Sequence, residues 1–228
     1  MKRQISKSKV AILISGRGSN MAALIKAAAA SDYPAEIALV VSNRADAPGL
    51  ERAKSSGVAT VVVESKPFGK DRASFEAKLQ AALDQHRIEL ICLGGFMRLF
   101  TPEFTRRWYG RMLNIHPSLL PSFPGLDPHG QALRAGVKIS GATVHFVIPE
   151  TDAGPILMQG AVGVSDHDTP ETLSERVLEV EHRIYPDALR LLASGAVQLE
   201  GDICKTPDSA GSGNFLISPV ASADGNSV

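Results

Sequence analysis

Met112-Leu-Asn-Ile-His-Pro-Ser-Leu-Leu-Pro121 is an apolar run that carries two polar side chains and stops at a proline. Side chains on a strand repeat every two residues, so Asn114 and His116 share one face of an extended segment. Pro117 cannot donate to a central ladder, which ends the strand there. An amide and an imidazole therefore stand together at the carboxyl end of a strand. In open parallel sheets that is where ligands bind.

Upstream, the chain alternates strand and helix signals. Val10–Ile14 is β-branched and reads as a first strand, followed by Gly16-Arg-Gly-Ser-Asn20 and a helix of strong formers from Met21 to Ala30. Strand readings at Ile37–Val41, Val58–Val63 and Glu89–Leu93 are separated by helical readings at Pro48–Ser56 and Arg72–His86. In the second of these helices Phe75, Leu79 and Leu83 form an apolar face. A brief helix at Pro102–Trp108 precedes the opening stretch. This alternation predicts an α/β fold, a doubly wound and mostly parallel sheet.

Downstream the pattern changes. Ser140–Ile148 and Pro155–Val164 are strand-like with only a short loop between them, which predicts an antiparallel hairpin or added edge. Pro170–Ala193 reads as a long final helix, with Asp168 and Thr169 as cap candidates. Pro121–Gly136, rich in proline and glycine, reads as a loop. From about Ser209 the composition turns to Ser, Gly, Ala and Asp, predicting a flexible tail over 209–228. One domain is expected over 8–200.

The composition narrows the function. Of the 228 residues 44% are hydrophobic, enough for a sizeable core, and 24 basic residues balance 24 acidic ones. No net charge points to nucleic acid or to an anionic membrane. The two cysteines, Cys92 and Cys204, make no metal or redox spacing, so a reduced, cytoplasmic protein is the expectation. The apolar run after the basic start breaks too early for a signal sequence.

Four constellations carry chemistry, and each also has a plain structural reading. The loop Gly16–Asn20 brings glycine backbone to a helix N-terminus and suits one phosphate; it lacks the Walker pattern and the third glycine of the dinucleotide fingerprint. It equally reads as a turn with Ser19 as N-cap. Gly94-Gly-Phe-Met-Arg-Leu-Phe100 could line a slot for a flat heteroaromatic ring, or simply turn the chain. Asn114 and His116 offer an oxyanion donor and a proton-transfer group. His145 lies on a strand with Asp152 in the loop beyond it, an aspartate able to orient an imidazole or to make an Asx turn. All four fall at or just after carboxyl strand ends. Asp127, His129 and Glu150 lack metal-site spacing, and no metal is expected.

These residues together resemble the folate-dependent formyltransferases, in the branch acting on glycinamide ribonucleotide. The likeness runs from Ser15-Gly-Arg-Gly-Ser-Asn20 through Ser42-Asn-Arg-Ala-Asp46, Gly95-Phe-Met-Arg98 and Leu113–Pro121. It continues through Pro124-Gly125, Gly141–Val147, Thr151-Asp-Ala-Gly-Pro-Ile156 and Glu181-His-Arg-Ile-Tyr-Pro186. It implies a Rossmann-like formyltransferase fold and direct attack of the ribonucleotide amine on the formyl carbon of 10-formyltetrahydrofolate, the co-substrate. It also implies roles. His116 moves the proton, Asn114 faces the oxyanion, Asp152 fixes His116, and His145 supports Asp152 or the intermediate. Gly18, Ser19 and Asn20 would take the phosphate and Glu181 the ribose. Met97, Arg98, Leu99 and the backbone at Val147 and Ile148 would hold the pterin, with Arg72 at the glutamate tail. No acyl-enzyme is expected, with Ser118 the nearest hydroxyl. Partners are small molecules, and the chain is a monomer or homodimer. Two departures stand out: Asp127 occupies a position where the branch usually has His, and the chain after about Gly201 has no counterpart. A water-using deformylase and a non-catalytic nucleotide-binding module remain the alternatives.

Overall fold

The structure, a computed structural model, describes residues 7–206; the expected tail at 209–228 lies outside the described residues. Five parallel strands come first: β1 (Ser8–Ile14), β2 (Ala35–Ser42), β3 (Ala59–Val62), β4 (Leu90–Leu93) and β5 (Met112–His116). β6 (Ile139–Phe146) runs antiparallel to β5, and β7 (Ile156–Gly163) runs antiparallel to β6. The seven-stranded order is β3-β2-β1-β4-β5-β6-β7. Strand order reverses between β1 and β4, so their carboxyl ends flank the crevice of the switch point. The doubly wound reading and the antiparallel addition both hold.

Among the described residues, six α-helices surround the sheet: α1 (Ser19–Ala28), α2 (Gly49–Ser55), α3 (Arg72–Gln85), α4 (Pro102–Arg107), α5 (Pro128–Ala135) and α6 (Pro170–Ala193). β1 shows how both faces are filled. Val10, Ile12 and Ile14 point into a core shared with α1 and α6, while Ala11 and Leu13 point into one shared with α3 and α4. All five side chains are fully buried, as a central parallel strand requires.

α6 is the keystone of one face. It opens on a capping box between Thr169 and Thr172, with Pro170 in the first turn where no intrahelical N–H is needed. Farther on, Pro186 removes one helical N–H. The Tyr33 hydroxyl donates to the Pro186 carbonyl at 2.7 Å, closing α6 onto the α1–β2 connection. The fully buried Tyr185 hydroxyl lies 3.1 Å from both the Leu93 and Leu113 carbonyls, so its one proton is shared between β4 and β5. The helix thereby fixes the two strands whose ends bear the candidate site.

Two readings are corrected. Pro121–Gly136 is not all loop, because α5 forms within it, capped by the Asp127 carboxylate on the Gly130 N–H with Pro128 in the first turn. Gln198–Glu200 (β8) and Ile203–Lys205 (β9) make a small antiparallel hairpin where no element was expected. β9 packs against β7, and Leu199 and Cys204 join the core, which outweighs the weak local signal.

Candidate active site

The rim at the switch point is built largely from backbone. Gly18 caps α1 in the left-handed region, φ 68°, where a side chain is strained, and no side chain caps the helix. The first N–H groups of α1 are thus presented to the crevice, a ready anion site. Below them the Asn20 amide donates to the Glu181 carboxylate at 2.6 Å, and both residues are buried. Burial holds the Glu181 carboxyl above its ordinary range, opposed by the Asn20 bond. The buried Asn20 Oδ1 has no partner.

A polar chain ties the strand ends together. The Met97 N–H donates to Ser15 Oγ at 2.8 Å, Ser15 Oγ donates to Asn43 Oδ1 at 2.6 Å, and Asn43 Nδ2 donates to Ser65 Oγ at 3.1 Å. Sequence reasoning missed this chain; the polar residues that end β1 and β2 were its only signal.

Between these anchors the segment 96–100 alternates. Phe96, Arg98 and Phe100 turn toward α3, while Met97 and Leu99 stand 75% and 56% exposed at the crevice. Phe75, Phe96, Phe100 and Phe104 stack in sequence with centroids 6.4, 5.4 and 4.7 Å apart. The Arg98 guanidinium lies 5.1 Å over the Phe75 ring and donates to the Gly69 carbonyl at 2.8 Å. Its side chain therefore lies on the far side of the segment from Met97 and Leu99. Val147 and Ile148 follow β6, and the Val147 N–H donates to the Met112 carbonyl at 2.9 Å. Arg72, the first residue of α3, is exposed.

The end of β5 and the antiparallel addition beside it supply the side-chain chemistry. The β5–β6 register sets Asn114 opposite His145, and the Asn114 amide lies 3.1 Å from His145 Nε2. His145 Nδ1 faces the Phe146 carbonyl at 3.0 Å, so that nitrogen carries the proton. Burial pushes the ring's pKa down, against the pull of that carbonyl and of Asp152. In the neutral ring Nε2 is then an acceptor, and the Asn114 group facing it must be the NH2. The second N–H of that amide is left to point elsewhere.

His116 is 6% exposed, with Nε2 3.0 Å from the Phe123 carbonyl and Nδ1 3.4 Å from Asp152 Oδ2. Asp152 Oδ1 lies 3.8 Å from His145 Nε2. The same Oδ2 accepts the Gly125 N–H at 2.9 Å, joining the loop after β6 to the loop after β5. Asp152 itself sits at φ 54°, a costly conformation for a non-glycine residue that clusters at functional sites. Gly154 lets this loop close, since a Cβ there would come within 1.9 Å of the Phe146 carbonyl.

Ser118 is fully buried and its hydroxyl donates to the Ser122 carbonyl at 2.6 Å, which gives it a place in the loop and no access to a ligand. Thr143 braces the same loop by donating to the Ser118 carbonyl at 2.7 Å and accepting the Leu120 N–H at 3.0 Å. The His129 ring lies close enough to sense His116 and Asp127; burial above all pushes its pKa down. Among the described residues, no group of three or more His, Cys, Asp or Glu is placed to hold a metal ion, and no helix is long and apolar enough to cross a membrane.

A parallel sheet with a glycine-capped helix at its switch point, and Asn114 and His116 on β5 beside His145 and Asp152 of the antiparallel addition, suits a transferase of small acyl groups. The chain belongs to the formyl transferase family, which it matches over residues 8–189. It is 40% identical over 184 residues to the phosphoribosylglycinamide formyltransferase of Bacillus subtilis, covering 81% of this chain and 94% of that protein. Glycinamide ribonucleotide transformylase 1 from Symbiobacterium toebii superposes with a TM-score of 0.85 at 44% identity, covering 89% of this chain and 95% of that one. A trifunctional purine biosynthetic protein of Gallus gallus is 51% identical over 205 residues, which is 89% of this chain and 20% of that protein. The chain thus spans about a fifth of the length of the trifunctional relatives. A formyltetrahydrofolate deformylase from Pseudomonas syringae shares the fold, TM-score 0.83 at 28% identity, over 90% of this chain and 67% of that one.

Proposed function

We propose that this chain transfers the formyl group of 10-formyltetrahydrofolate to the amine of glycinamide ribonucleotide, giving formylglycinamide ribonucleotide and tetrahydrofolate in de novo purine synthesis. The observation that carries the reading is Asp152, within ion-pair reach of both His116 and His145 while bonded to the loop after β5. That set suits an acyl transfer that needs an oxyanion donor and a proton shuttle at one carbon.

The amine lone pair forms a bond to the formyl carbon, and the carbonyl π pair moves to oxygen. The free N–H of Asn114 and the Nε2–H of His116, released from the Phe123 carbonyl, stabilise that oxyanion. The new ammonium gives up its proton through Asp152 and His116 to N10 of the folate. The oxyanion then collapses, the carbon–N10 bond breaks, and tetrahydrofolate leaves. His145, neutral and hydrogen-bonded to Asn114, keeps the amide turned the right way. The phosphate lies on the N–H groups of Ser19 and Asn20 after Gly18, and Glu181 takes the ribose hydroxyls. Met97 and Leu99 flank the pterin with the backbone of Arg98, Val147 and Ile148, while Arg72 meets the glutamate tail. The strand ends up to β4 thus serve mainly the ribonucleotide, and the segments around β5 and β6 serve folate and chemistry.

Tetrahydrofolate release from 10-formyltetrahydrofolate, followed with and without glycinamide ribonucleotide, tests this. Release only with the ribonucleotide is expected. Release without it would mean water is the nucleophile, as in a deformylase, and release in neither case would leave a binding module.

A further inference from the structure

Glu76 is a carboxylate 6% exposed on α3, yet its partners are neutral. Its two oxygens accept the Thr101 N–H at 2.6 Å and the Thr101 hydroxyl at 2.5 Å. Thr101 closes the segment that carries Met97 and Leu99 and also caps α4 through the Phe104 N–H. Four residues on, the Gln80 amide oxygen accepts the Trp108 indole N–H at 2.9 Å, and another four on, Asp84 lies 4.0 Å from Arg107. Residues four apart share a helix face. One stripe of α3, from Glu76 to Asp84, therefore grips the chain from Thr101 to Trp108. Arg72 stands one step earlier on the same stripe.

We propose that Glu76 is a positioning residue for the folate site. It sets where the exposed Met97–Leu99 edge stands relative to Arg72, and so matches the site to the distance between the ligand's flat ring and its carboxylate tail. The inference rests on the folate site proposed above. Ser15 anchors the start of this segment through the Met97 N–H, and Glu76 anchors its end. A carboxylate accepts from both Thr101 donors, whereas an amide in its place turns an NH2 on one of them.

The test is steady-state kinetics of Glu76→Gln and Thr101→Val, with Thr101→Ser as the conservative control that keeps both bonds. The substrates are 10-formyltetrahydrofolate, its pteroate counterpart lacking the glutamate, and glycinamide ribonucleotide. KM for the formyl-folate is expected to rise about tenfold in Glu76→Gln while KM for the ribonucleotide stays put, and Thr101→Ser is expected to behave as the parent. The advantage of the glutamate-bearing substrate over the pteroate is expected to shrink. A merely structural bond would lower thermal stability and active fraction with both KM values unchanged, and that result overturns the proposal. Should Glu76→Gln not fold, Thr101→Val carries the same comparison. Absence of folate turnover in the parent chain would instead sink the functional reading itself, which separates the two failures.

Discussion

The two halves of the crevice are made of different material. On the side of β1 and β4 the groups that line the crevice are led by backbone, the uncapped N–H groups after Gly18, with the Glu181 carboxylate below them held by Asn20 and with Ser15 and Asn43 spent on holding strand ends. On the side of β5, β6 and the loop at 147–155, Asn114, His116, His145 and Asp152 do the facing, each bonded to a residue distant in sequence. A backbone site binds charge with little help from any one side chain. A side-chain site concentrates the chemistry in a few atoms whose loss cannot be shared. Substitutions should therefore divide by which half they strike.

The largest effect is expected at His116 and Asp152. His116→Ala removes the group proposed to face the oxyanion, and Asp152→Asn the charge proposed to orient it. Each should lower kcat/KM for formyl transfer by about 10³-fold, roughly 4 kcal/mol of transition-state stabilisation, with KM for the ribonucleotide little changed. Because the two act as one unit, the double variant should cost scarcely more than either alone. Additive losses would show that the Asp152–His116 contact of 3.4 Å has no catalytic meaning.

A smaller and differently shaped effect is expected on the backbone side. In Gly18→Ala the new Cβ enters a position at φ 68° and meets the Met21 side chain at 3.0 Å. The left-handed conformation costs an L-residue about 1–2 kcal/mol, so the α1 N-terminus should shift. KM for glycinamide ribonucleotide should rise about tenfold with kcat held. A fall in kcat with KM unchanged would mean that this loop serves the chemistry and would erase the contrast between the halves.

In both halves the sequence is informative about single stretches and silent about how stretches meet. Period-two alternation placed Asn114 and His116 on one face, and the glycines of the β1 loop marked a backbone approach to a helix N-terminus. Both signals are local. That His145 lies across from Asn114 depends on the β5–β6 register, and that Asp152 bonds Gly125 depends on two loops closing together. Neither is encoded within one stretch of chain. Arg98 taught the same lesson in reverse: it read as one of three residues at the slot, yet alternation through Phe96 and Phe100 turns its side chain onto Phe75. α5 was hidden because proline and glycine dominate its entry, although Asp127 followed by Pro128 is itself a start signal.

Asp127 offers a test of whether the loop between the halves is structural. Its carboxylate caps α5 on the Gly130 N–H at 3.2 Å, pairs with Arg134 at 3.0 Å, and holds φ 56°. Asn also caps helices and tolerates the left-handed region, so Asp127→Asn should leave kcat/KM within about twofold. Asp127→Ala should cost about 1 kcal/mol in chemical denaturation. A large kinetic loss in the Asn variant would give Asp127 a part in the chemistry.

The smallest expected effect is on the pH dependence of stability. His129, His145 and His182 are all held below the ordinary imidazole value of 6.5 by burial. In the unfolded chain these rings take up protons as pH falls through that value, while in the folded chain they do so only lower. The unfolded state then binds more protons, so stability drops as pH falls from the ordinary value through the folded ones, and no further below them. Glu181 works the other way. Burial raises its carboxyl above the ordinary 4.5, so the folded state gains protons first and stability rises as pH falls through the raised value. Thermal unfolding between about pH 8 and about pH 4 should therefore show a midpoint that declines on acidification, less steeply in His145→Gln and more steeply in Glu181→Gln. The Glu181 term belongs to the backbone half and the His145 term to the side-chain half. If the two variants instead changed the slope in the same direction, the opposed electrostatic loads assigned to the two sides of the crevice would be wrong.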